Sequence, residues 1–84
     1  MTNTEELLMQ HERAREFAQQ EARQIADAIT LAMAEVGNPR AFVLLDFAGL
    51  VSKVARLAEL QNEIMEKNRA IRGLADKAIA EAGR

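Results

Sequence analysis

The sequence predicts an all-α protein, an antiparallel helical hairpin of two long helices that dimerises into a four-helix bundle or coiled coil. Three observations carry that prediction. Leu50, Leu57, Ile64, Ile71 and Ala78 recur at heptad spacing, and Phe47, Val54, Gln61, Asn68, Ala75 and Ala82 form a companion row, so that an a/d seam runs for more than four heptads. The composition is that of long helices, with Ala, Leu, Ile, Glu, Arg and Gln dominant, three Phe, and neither Trp nor Tyr. One strong break, Gly37-Asn38-Pro39, divides the chain into two helical stretches.

The first helix is expected over residues 3–36. Thr2 with Glu5, and Asn3 with Glu6, each have the spacing of a capping box, and the two glutamates suit the positive end of the helix dipole. Apolar residues then return at helical intervals from Leu7 to Val36. Within them Ala14, Ala18, Ala22 and Ala26 make a ridge of small side chains, which invites close approach by a bulkier neighbour. In the turn, Gly37 is expected as a left-handed C′ residue, Asn38 as an N-cap and Pro39 at the first position of the next helix. So short a connection folds two helices back on each other.

The second helix is expected over residues 39–82, with Gly49 a possible kink and Gly73 a point of weakness. At about 1.5 Å per residue the two helices would measure about 50 and 66 Å, so the segment after Arg72 should overhang. Val51, Ala58, Met65 and Ile79 fill one flank of the seam and Leu60 and Leu74 the other, an apolar stripe too wide for a simple two-stranded zipper. Residues 41–51 are apolar around nearly the whole helix, so something besides a two-helix hairpin must cover them.

At 84 residues the chain is one domain, of a size at which oligomerisation, disulfides or a metal usually supplement a small core. There is no cysteine and a single histidine, His11, so self-association or partner binding remains as the route to stability. The net charge of −2 conceals an asymmetry: residues 1–38 carry seven acidic and three basic side chains, and residues 39–84 six acidic and eight basic. Halves of opposite sign favour packing against each other. The polar, acidic N-terminus lacks the pattern of a secretory signal, and the longest apolar stretch is about half a membrane span, so a cytoplasmic protein is expected.

The same residues define a functional expectation. With no nucleophile and base in a recognisable arrangement, no phosphate loop and no Glu-x-x-His pair, neither catalysis nor a cofactor or metal is expected. The expected role is that of an interaction or assembly module: an adaptor, regulator or structural subunit. Its interface residues would be Phe42, Leu45, Phe47, Leu50, Val54, Leu57, Gln61, Ile64, Asn68 and Ile71, with the three bulky tip residues as anchors and Gln61 and Asn68 fixing register. The partners would be a second copy of the chain and another protein. His11 is expected as a boundary residue, and Glu63 as the partner of Lys67 four residues on.

Lys67, Arg69, Arg72 and Lys77 allow a second class, a nucleic-acid-associated hairpin dimer like those that bind paired RNA loops, and an inhibitor docking on a larger complex is a third. In shape, a hairpin of this length with an Asn-Pro turn resembles the small helical subunits and chaperones of bacterial secretion needles. No diagnostic motif carries that likeness, and the polar tail Ala80-Glu81-Ala82-Gly83-Arg84 departs from the needle pattern.

Overall fold

A computed structural model describes residues 2–83. Two long helices, α1 (Asn3–Ala34) and α3 (Phe47–Ala82), lie antiparallel along each other, joined by a tip that contains the single-turn helix α2 (Pro39–Phe42). The result is a rod of 66 × 16 × 15 Å.

The start of α1 follows the expected capping box. The Thr2 hydroxyl accepts from the Glu5 amide at 3.1 Å, and the Glu5 carboxylate accepts from the Thr2 amide at 3.4 Å, so the first-turn donors find local partners. The helix ends at Ala34, two residues earlier than expected. Glu35, not Gly37, is its C-cap, and the turn is closed by three-residue steps, with Val36 N–H donating to Met33 and Asn38 N–H to Glu35. No glycine has positive φ, so the expected left-handed Gly37 is not realised. Asn38 caps α2 as expected, accepting from the Arg40 and Ala41 amides ahead of Pro39.

The expected helix over residues 39–82 is interrupted. After one turn the chain closes two more three-residue steps, Leu44 N–H to Ala41 and Leu45 N–H to Phe42, and leaves the helix before residue 46. Asp46 then opens α3 as its N-cap, with its carboxylate accepting from the Gly49 amide at 2.9 Å. A Cβ on residue 49 would collide with that carboxylate, so Gly49 provides the room the cap occupies and is no kink. At Gly73 α3 runs through without a break. Because the break shortens the second long helix, the expected overhang disappears: Thr4 near the start of α1 donates to the Glu81 carboxylate at 3.1 Å, and the helices end nearly level.

Burial follows a heptad pattern on both helices, and it selects a different seam from the expected one. On α1 the inward rows are Thr4, His11, Ala18, Ile25 and Ala32, together with Leu8, Arg15, Ala22 and Ile29. The four-residue alanine ridge drifts across this face, since each four-residue step advances about 40° around a helix. Ala18 is therefore buried, Ala14 and Ala22 are half-buried, and Ala26 is exposed. On α3 the row Leu50, Leu57, Ile64, Ile71 and Ala78 turns inward as expected, but its companions are Leu60, Lys67 and Leu74. Val54, Gln61 and Asn68, the expected companions, are exposed. Leu60, expected on a flank, is the best-buried side chain at 1% exposure. The core is correspondingly thin, with Ala18 and Leu60 as its buried apolar residues.

Candidate interaction surface

Below the tip, α3 carries a second heptad seam that faces away from the core. Phe47, Val51, Val54, Ala58, Gln61 and Met65 follow one another at alternating four- and three-residue steps, the spacing of an a/d stripe. All six are exposed, Val51 at 69% and Val54 at 54%. Where this stripe meets α1, an open groove of about 510 Å³ is lined by Ala22, Val54, Leu57, Ala58, Gln61 and Ile64, with Met65 at its end. Ala58 and Ala22 make the groove by being small; Val54 and Met65 wall it.

The tip extends this surface. Phe42 and Phe47 stack in a tilted pair with ring centroids 5.4 Å apart, and Val43 and Leu44 beside them are 77% and 84% exposed. Leu45 is half-buried. Of the residues expected at an interface, Phe42, Phe47, Val54 and Gln61 thus lie together on one open surface, whereas Leu50, Leu57, Ile64 and Ile71 turn toward α1. Asn68 also turns to its own chain, where its carbonyl oxygen accepts from the Arg15 guanidinium at 3.0 Å.

The opposite side of the hairpin holds a charge cluster that sequence reasoning missed. Arg56 donates to both oxygens of Glu21 across the helix pair, at 2.6 and 3.0 Å, and also reaches Glu59 at 3.0 Å and Glu63 at 3.5 Å. The bidentate bond to Arg56 holds the Glu21 carboxyl below its ordinary range, and the carboxylates in turn raise the Arg56 pKa. Glu63 therefore answers Arg56 and not Lys67, as had been expected from their spacing. No local pattern marks Glu21 as the partner of Arg56, because the pair exists only once the hairpin's register is set.

Nearer the chain termini the interhelical seam becomes polar. Lys67 Nζ lies 3.4 Å from His11 Nδ1, half-buried between the helices, and the Arg15–Asn68 and Thr4–Glu81 bonds continue the layer on either side. Lys67 is thereby withdrawn from the basic cluster, leaving Arg69, Arg72 and Lys77 exposed. Among the described residues no three potential metal ligands converge, and His11 faces an ammonium group. No described helix is long and apolar enough to cross a membrane. The chain matches no protein-family model, and comparison with the curated proteins and with the solved structures finds no match.

Proposed function

We propose that this protein is a small helical assembly module, working without chemistry of its own through the packing of its open helix face against other helices. The observation that carries this reading is the mismatch between what the hairpin buries and what it leaves out. Its buried apolar core is Ala18 and Leu60, while Phe47, Val51, Val54 and Met65 stand exposed in register along α3. The accessible surface is 6561 Å² for a 9.3 kDa chain, against about 5,000 Å² for a compact monomer of that mass. The excess, about 1,600 Å², is the size of area that an obligate homodimer covers on each partner. The charged groups that approach one another serve the hairpin itself: Arg56 binds Glu21 across the helix pair and Glu59 and Glu63 along its own helix, and Lys67 meets His11 between the helices.

Thermal unfolding followed by circular dichroism over a hundredfold range of concentration tests the reading. If association supplies the missing burial, the midpoint rises with concentration. A midpoint independent of concentration would overturn self-assembly as the basis of function. A second reading rests on the tip, where Val43 and Leu44 lie beyond the α3 stripe and are more exposed than its Phe47, Val51, Val54 and Met65. There a different protein would dock on the assembled rod.

A further inference from the structure

We infer that the occupant of the open α3 face is a second copy of this chain, packed antiparallel about a two-fold axis level with Arg56, so that the tip-proximal halves of two hairpins overlap. The inference rests on the self-assembly reading above and specifies its geometry.

Three features of the face carry it. First, the stripe is self-complementary when reversed. From Phe47 to Met65 its steps run four, three, four, three, four, which reads the same in both directions. Turning one copy about the midpoint therefore sets Phe47 against Met65, Val51 against Gln61 and Val54 against Ala58. The first pair places a thioether against an aromatic ring, and the last sets a branched side chain into the hollow left by an alanine. An isologous interface requires this kind of match between a patch and itself.

Second, the stripe is free of charge over this span and only this span. The rows Phe47/Val54/Gln61, Ala48/Ala55/Asn62 and Val51/Ala58/Met65 contain no ionisable side chain, and Lys53, Arg56, Glu59 and Glu63 all lie on the remaining faces of α3. Beyond Met65 the same rows carry Arg69 and Arg72. A parallel, in-register dimer would extend the contact into that region and bring each Arg72 against its own copy, two like charges in a closing interface. The antiparallel arrangement carries Arg69 and Arg72 past the start of the partner's α3 to the level of its tip, so that the helix-to-helix contact between the two copies of α3 covers the uncharged part.

Third, there is surface to cover and room to cover it. The whole rod exposes about 1,600 Å² more than a compact monomer of its mass, about twice what a standard interface takes from one partner, the stripe is part of that surface, and the groove beside Ala58 is open to receive the opposing Val54.

Because the chain has no cysteine, disulfide trapping tests the geometry directly. Val51→Cys and Gln61→Cys are prepared singly, mixed and equilibrated, then oxidised, with absolute mass measured by light scattering in parallel. In the antiparallel dimer the two Val51→Cys positions are ten residues apart along the axis, about 15 Å, too far for a disulfide, which needs Cα atoms within about 7 Å. The expected result is covalent dimer from the mixture and little or none from either variant alone. Covalent dimer from Val51→Cys alone, at dimer mass, would overturn the antiparallel arrangement while leaving self-assembly standing. Dimer mass with no crosslink in any combination would show that the copies meet through another face. Monomer mass throughout would remove the self-assembly reading itself.

Discussion

Replacing Leu60 with alanine tests whether the two long helices are held together where the structure says they are. Leu60 is 1% exposed and, among the described residues, is the one large side chain fully enclosed between α1 and α3. Truncating a buried leucine costs about 2–5 kcal/mol, the value depending on how far the surroundings collapse into the space. In a rod only 15–16 Å across, the neighbours are free to settle, and water reaches the flanks of the seam, so the low end applies: about 2–3 kcal/mol. A chain of 84 residues has a total stability of about 4–13 kcal/mol, so Leu60→Ala removes a substantial part of it, and the melting midpoint falls by about 10–20 °C. Urea unfolding by circular dichroism, at one fixed protein concentration, gives the number. Leu44→Ala is the matched control, because Leu44 is 84% exposed, and its cost is expected within about 0.5 kcal/mol of zero. A Leu60→Ala cost below 0.5 kcal/mol, or a Leu44→Ala cost equal to it, would refute the burial pattern on which the seam assignment stands.

Other expectations follow from the same geometry. Gly73→Ala places a methyl group in open space within a continuous helix and should stabilise by about 0.5–1 kcal/mol, whereas Gly49→Ala pushes the Asp46 carboxylate out of its cap and so offsets the same gain; the urea midpoint of Gly49→Ala should fall below that of Gly73→Ala. Arg56→Ala leaves Glu21, Glu59 and Glu63 near one another without their cation, so the melting midpoint at neutral pH and low salt should drop, and the deficit should shrink in molar salt. The pH dependence has a definite sign. The folded pKa of Glu21 lies below its unfolded value, so its contribution is present above the ordinary carboxylate range and is lost as pH falls through the folded value; the gap between native and Arg56→Ala should close as the solution is acidified. Asn68→Leu, although it puts an apolar residue into the heptad row, should destabilise by up to about 1 kcal/mol in a urea titration, because it removes the acceptor of the Arg15 guanidinium, whose Nε is already without a partner.

Much of this fold is legible in the residues. The Thr2–Glu5 box, the Asn38-Pro39 start and the long heptad pattern each act locally, so a window of a few residues is enough to recognise them. The break before α3 was missed because the apolar character of residues 41–51 outweighed Asp46 and Gly49, which together form an N-cap whose signal is one side chain and one absent Cβ. Choosing the inward row was harder. Leu57 and Ile64 have apolar neighbours on both sides, Leu60 and Leu74 on one and Val54 and Met65 on the other, so periodicity cannot say which side α1 covers. That choice depends on the register and rotation of the hairpin, which also create the Arg56–Glu21 and Lys67–His11 pairs. Because α3 has apolar rows on two sides, the candidate surface was visible in the sequence as a stripe too wide for one neighbour; its location on the hairpin was not.

If the hairpin completes its burial by packing against another copy, its absolute mass in solution is that of a dimer. Light scattering on the native chain and on Val54→Asp, over a concentration series, should give twice 9.3 kDa for the native protein and 9.3 kDa with reduced helicity for the variant, since a carboxylate in a closing apolar face is too costly to bury. A fully helical native monomer of 9.3 kDa at every concentration, indifferent to Val54→Asp, would show that the hairpin is stable with its α3 face uncovered and does not self-assemble.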